Sequence, residues 1–186
     1  MAVSSFMVPL GATAPDFTLP SIEQTTVSRS QFKDAPALLV MFLSNHCPYV
    51  RHLETALGEL IDDHPQLGVV AICSNDTENY PDDAAPQLRE QRARAGWNFP
   101  YLIDETQQVA REYRAACTPD FFLYDRDGQL VYRGAFDHST PGNGKPVTGE
   151  LLRAAIASAL AGEAAPEPQQ PSLGCSIKWR PGNEPS

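Results

Sequence analysis

Two uninterrupted apolar runs, "ALLVMFL" at 37–43 and "LGVVAIC" at 67–73, constrain the fold of this chain more than any other feature. A run that never alternates with polar residues marks a strand buried on both faces, as in a parallel sheet covered by helices. Between the two runs, Val50, Leu53, Leu57, Leu60 and Ile61 recur at helical spacing. Strand, amphipathic helix and strand in that order form a β-α-β unit with a parallel crossover.

The flanking segments extend this unit. "PDFTLPSIEQTTVSRSQF" (15–32) alternates loosely between turn residues and reads as short strands or a hairpin. A second helix is predicted over 84–95, with Pro86 in its first turn and Gly96 ending it. "DETQ" (104–107) has the form of a capping box, and Val109, Ala110 and Tyr113 supply the buried face of a third helix. "DFFLYDRDGQLVYRG" (120–134) reads as two strands joined through Asp127-Gly128. The last helix, predicted over 148–160, buries Leu151, Leu152, Ala155, Ile156, Ala159 and Leu160, and Gly162 stops it. The expected fold is therefore α/β in three layers: a mixed central sheet flanked by helices, with an N-terminal hairpin.

After Gly162 the composition changes, which divides the chain into a domain at 1–162 and a tail at 163–186. The tail holds five prolines, a composition that favours disorder, yet its "LGCSIKW" is too apolar to be left in water. In an extended, proline-rich form the residues from Gly162 to Cys175 reach about 40 Å at about 3.1 Å each. A domain of this size has a radius of gyration near ~15 Å. The tail is thus expected to dock, with Ile177 and Trp179 packed on the domain.

The net charge of −9 argues against nucleic acid or an anionic membrane as a partner. The N-terminal stretch has no basic segment followed by an apolar core, and no segment approaches the length of a membrane span. The four cysteines, at 47, 73, 117 and 175, are widely spread and form no CxxC pair. A cytoplasmic location is the expectation, where a disulfide would be catalytic rather than structural. No cysteine or histidine pair has a metal-ligand spacing, so neither a metal nor a cofactor is expected.

"SNHCPYVR" (44–51) carries the chemistry. Cys47 stands where the first buried strand gives way to the helix, and Pro48 suits the first helical position, which needs no N–H. A thiol at a helix N-terminus faces unpaired N–H groups and the positive end of the dipole, both of which favour thiolate. His46 is adjacent, and Arg51, one turn along, adds positive potential as a candidate thiolate stabiliser. The bland alternative is a buried structural cysteine beside a solvated arginine. Cys73 ends a buried strand and reads as a core residue.

The element order, with "FLSNHCPYVR" and "CTPDFFLYDRDGQLVYRG", resembles the thioredoxin-like superfamily over roughly residues 9–162. "FLSNHCPYVR" is similar to the "FWATWCPPCR" run of bacterial thioredoxin-like reductases, which puts Cys47 on the nucleophilic cysteine and Val50 on the missing second one. "CTPDFF" resembles the segment that carries a cis-proline, which falls on Pro119. Together "NHCPYV", "CTPDFF" and "GCSIKW" resemble a bacterial single-cysteine group of the redoxin, alkyl hydroperoxide reductase–thiol-specific antioxidant type. The resemblance implies substrate contacts from His46, Pro48, Thr118 and Pro119.

It also implies a thiol–disulfide oxidoreductase in redox homeostasis, with Cys47 attacking a disulfide and another thiol resolving the product. Cys117, two residues before Pro119 as in some animal thioredoxins, is the first expectation for that thiol. An external thiol is the second and Cys175 the third. The alternatives are a thiol peroxidase, in which peroxide oxidises Cys47, and a binding module without turnover. Peroxiredoxins carry a proline seven residues before their cysteine, where this chain has Val40, and an arginine that "CTPDFFLYD" lacks. Either enzyme needs a disulfide or peroxide substrate. Its reducing partner would be a thioredoxin- or glutaredoxin-type protein or a low-molecular-weight thiol.

Overall fold

The computed structural model describes residues 1–185. Its strands are β1 (Ala2–Ser4), β2 (Thr18–Pro20), β3 (Thr26–Ser28), β4 (Ala37–Phe42), β5 (Gly68–Cys73), β6 (Tyr101–Ile103), β7 (Cys117–Thr118), β8 (Asp120–Asp125), β9 (Leu130–Gly134) and β10 (Leu173–Ser176). The α-helices are α1 (Pro48–Asp62), α2 (Ala85–Ala95), α3 (Gln108–Tyr113) and α4 (Glu150–Leu160). Five strands form the central sheet in the order β6-β5-β4-β8-β9. β4, β5 and β6 run parallel, while β8 and β9 complete the sheet antiparallel. β2 and β3 form the N-terminal hairpin.

The double-sided burial read from the two apolar runs is what the sheet requires. Leu39, Met41 and Leu43 face a core built with α1 and α4, including Leu57, Leu60, Leu152 and Ile156. Leu38, Val40 and Phe42 face a second core with Val109, Ala110 and Tyr113 of α3. A strand that alternates between two apolar layers cannot shift register by one residue without changing every partner. That pins the end of β4, and hence the start of α1, at the carboxyl edge of the parallel strands.

Helix ends follow local chemistry with one exception. Gly96, at φ +71°, closes α2 in the left-handed region where glycine bears no Cβ penalty. At α3 the Asp104 carboxylate accepts the N–H groups of Val109 and Ala110, but Gln107 does not reach back to complete a box. Its side chain instead donates to the carbonyls of Ser74 and Lys178. Burial, offset in part by those N–H groups and the Ser74 hydroxyl, leaves Asp104 above the usual carboxylate range.

The tail is docked. β10 is the middle strand of a second, three-stranded sheet, β1-β10-β7, antiparallel throughout. Ile177 is buried in the second core and Trp179 packs against it. Burying such side chains stabilises docking by about 25 cal/mol per Å² removed from water. Main-chain groups beyond β10 are also held. Lys178 N–H donates to Asn75 Oδ1, its carbonyl accepts Asp76 N–H, and Arg180 N–H donates to Gln107 Oε1.

Candidate active site

Cys47 is the N-cap of α1, with Pro48 following as the first helical residue. Its N–H donates to Ser44 Oγ at 3.2 Å, and its carbonyl accepts the Arg51 N–H, the first bond of the helix. The thiol is fully buried and lies 3.1 Å from the Thr118 carbonyl oxygen, to which it donates. The Thr118–Pro119 peptide is cis. Two segments about 70 residues apart therefore meet at one sulfur.

Across that meeting point lies the tail. Cys175 is the cross-strand partner of Thr118, and Ser176 that of Cys117. Partners directly opposite share a face of the sheet, and successive residues alternate faces. Cys175 thus lies opposite Thr118, whose carbonyl Cys47 meets, and it packs against the core that contains Cys47. Burial, then the Cys47 sulfur as partner and as charge, push the Cys175 thiol up to about 11; Lys178 and the terminal ammonium pull the other way. Gly174 allows the approach. A Cβ there would collide with the Thr118 carbonyl oxygen and sit 2.7 Å from its carbon.

His46 turns away into a separate cluster. Its Nδ1 lies 2.6 Å from Asp83 Oδ2 and its ring stacks on Tyr80, with centroids 5.5 Å apart. Asp83 is buried and also accepts the Asn45 N–H at 2.7 Å and the Asn75 amide at 2.8 Å. Burial opposes its ionisation, but bonds from His46 and Asn75, the His46 charge and the Asn45 N–H prevail. Its carboxyl is held below the usual range. The loop before Cys47 is thus tied to a buried anion. The Lys178 ammonium lies 5.7 Å from the Tyr80 ring centroid, joining the tail to the same cluster.

The remaining candidates scatter. Pro48 is exposed beside the thiol. Arg51 directs its Nε to the Asn45 carbonyl at 2.7 Å, so it braces the loop rather than bonding the sulfur. Cys117 is buried on the opposite face of β7, with its Sγ 3.6 Å from the Pro119 carbonyl. Burial, then Asp120 and the other two sulfurs, push its thiol well above the ordinary range. Cys73 lies in the core, its thiol raised first by burial and then by Asp83. Among the described residues no three His, Cys, Asp or Glu side chains converge as metal ligands would.

Asp83, Tyr80 and Asn75 are absent from the sequence expectations, and Gln107 enters them only as part of a helix cap. "NDTENYPDD" reads only as a polar loop, and no local pattern shows that its aspartate reaches back to residues 45 and 46. Gly174 did carry a signal: a glycine inside an apolar strand-like run marks a close backbone approach.

A model described as the AhpC/TSA family matches residues 10–133. A thiol-disulfide oxidoreductase ResA of Geobacillus thermodenitrificans is 26% identical over 125 residues, 66% of this chain and 67% of that protein. An uncharacterized conserved protein from Geobacillus kaustophilus is 48% identical, with a TM-score of 0.95 over 98% of both chains. A thiol:disulfide interchange protein of the thioredoxin family from Chlorobium tepidum superposes with a TM-score of 0.61, over 82% of this chain and 99% of that one, at 16% identity. The fold is thioredoxin-like.

Proposed function

Since the chain belongs to the AhpC/TSA family, we propose that it is a thiol–disulfide oxidoreductase whose nucleophile is Cys47. One observation carries this reading. The Cys47 thiol, at the start of α1, meets the Thr118 carbonyl beside an extended strand that carries another cysteine opposite Thr118. That is the arrangement a disulfide-bearing chain would need in order to react there.

In the proposed step the Cys47 thiolate attacks one sulfur of a substrate disulfide. A mixed disulfide forms on Cys47 and the second substrate sulfur leaves as thiolate. The first turn of α1 presents N–H groups with no helical acceptor, which favour negative charge at its start. The Ser44 and Asp83 contacts hold the loop so that the sulfur keeps its aim. The anchoring of residues 45 and 46 gives His46 a positioning part, with Pro48 and Pro119 bordering the incoming group. A dithiol protein or a low-molecular-weight thiol would restore the reduced form, as the cytoplasm supplies.

The test compares the reduced protein with Cys47→Ser in reduction of a small aromatic disulfide under excess dithiol, and in peroxide consumption. Loss of disulfide turnover by about 100-fold or more in the variant is the expected result. Turnover of peroxide alone, abolished in the variant, would establish the peroxidase alternative. Equal activity in both proteins would remove Cys47 from the chemistry.

A further inference from the structure

A thioredoxin-like site with no second cysteine in its helix still has to release its product. Val50 fills the place one turn from Cys47, fully buried in the core, and offers no sulfur. Two cysteines lie on the strands that meet Cys47 at Thr118, Cys117 and Cys175. They sit on adjacent antiparallel strands one residue out of step, so the pleat turns them to opposite faces. Cys117 goes to the Pro119 carbonyl, while Cys175 packs against the core that contains Cys47.

We propose that β10 is a built-in substrate strand, and that Cys175 resolves oxidised Cys47 by closing a Cys47–Cys175 disulfide beside Thr118. The inference rests on the reading of Cys47 as nucleophile. In the first step Cys47 thiolate displaces one substrate thiolate and becomes a mixed disulfide. In the second, Cys175 thiolate attacks the Cys47 sulfur, the bond from Cys47 to substrate breaks, and the second substrate thiolate leaves. The substrate disulfide has gained two electrons and, once protonated, two protons. The Cys47–Cys175 pair has lost them, and an external dithiol restores the pair by the reverse exchange.

Three features favour this over resolution by an outside thiol. β10 is paired on both edges, with Ala2 and Val3 opposite Cys175 and Gly174 on one side and Thr118 opposite Cys175 on the other, so its sulfur is held in register. Contacts from Asn75, Asp76 and Gln107 anchor the chain just beyond it. Two of the causes that keep Cys175 protonated are the Cys47 sulfur as a bonding partner and as a charge. The Cys47 charge is gone once Cys47 enters a mixed disulfide, so after the first step burial is the main cause left opposing ionisation of Cys175.

The same placement limits what can enter. Cys47 has no exposed surface. A small disulfide must therefore lift β10 locally to reach Cys47. An extended polypeptide would have to replace it on the edge of β7.

The experiment treats the fully reduced chain with one equivalent of a small aromatic disulfide, blocks free thiols and maps the linked peptides by mass spectrometry. The expected product is a Cys47–Cys175 link with two aromatic thiols released per chain. In Cys175→Ser, one aromatic thiol is released and the other half stays on Cys47, accumulating at least about tenfold over the unsubstituted chain. Gly174→Ala keeps both sulfurs but crowds β10 off β7, and it should slow the second release and not the first. Modification of Cys47 with a Cys47–Cys117 link, or a mixed disulfide equally persistent with and without Cys175, overturns this inference alone. No modification of Cys47 in any of the proteins overturns the nucleophile reading, and this one with it.

Discussion

A methyl group at residue 174 would meet the Thr118 carbonyl and lie 3.1 Å from Pro119 nitrogen, with backbone rather than a flexible side chain in the way. Overpacking of this kind costs typically about 1–3 kcal/mol. In Gly174→Ala that cost falls on docking, so amide exchange at Ile177 and Lys178 should quicken by about 5- to 100-fold. Unchanged protection would mean that β10 tolerates a side chain against β7. Asp120 offers a test of a different kind. Its carboxyl is fully buried, Oδ2 accepts the Ala116 N–H and Oδ1 has no partner. Burial, against the N–H groups of Ala116, Cys117 and Phe121, pushes it up to about 7. A raised carboxyl binds its proton more tightly folded than unfolded, so its contribution is full below about pH 4 and is lost as pH rises through about 7. Asp120→Asn should remove a loss on the order of a few kcal/mol between those limits. Urea midpoints at pH 5 and 8 in both proteins measure it, and parallel slopes would refute it.

At the scale of elements, the loop that ends in the buried carboxylate of Asp83 holds the entrance to α1. Asp83→Ala would leave the Asn45 N–H and the Asn75 amide buried without their acceptor and His46 without its anchor. The expected loss is about 2–4 kcal/mol in urea unfolding at pH 7. Because Asp83 is held below the usual range, that difference is present above about pH 4 and shrinks as acid protonates it. A variant as stable as the parent at pH 7 would contradict the account. The elements legible in the sequence are those whose partners do not alter the signal. β4 and β5 are apolar whichever way they pair, and Asp127-Gly128 makes its turn from local geometry alone. β1, a three-residue "AVS", is a strand only because β10 lies beside it. Gln107 shows the opposite failure: "DETQ" has the spacing of a cap, but the glutamine gains more from the Ser74 and Lys178 carbonyls. The position of Cys47 at the start of α1 was legible because the helix carries its own start signal, whereas the neighbour of Cys47 is chosen by which face of β7 each sulfur occupies.

For the whole molecule, a Cys47–Cys175 bond would join the start of α1 to the tail and close a loop of about 130 residues. In the chain-entropy account such a loop restricts the unfolded chain by about 5 kcal/mol, more than a short loop would, because the constraint grows with the logarithm of its length. Little of that is returned as rearrangement, since β10 already packs Cys175 against the core that contains Cys47 in the reduced protein. The oxidised chain should therefore unfold at a clearly higher urea concentration than the reduced one, with the gain absent in Cys47→Ser and in Cys175→Ser. Linkage makes the effect reciprocal: whatever the bond adds to the fold, the fold adds to the bond. At about 1.4 kcal/mol for each 30 mV of a two-electron couple, 5 kcal/mol corresponds to about 100 mV of added reducing power over the same pair in an unfolded chain. A protein with that balance gives electrons to its substrate disulfide and needs a strongly reducing dithiol to be reset. Equal urea midpoints for the oxidised and reduced chains would show that the tail leaves its place when the pair is oxidised, and the gain in reducing power would disappear with it.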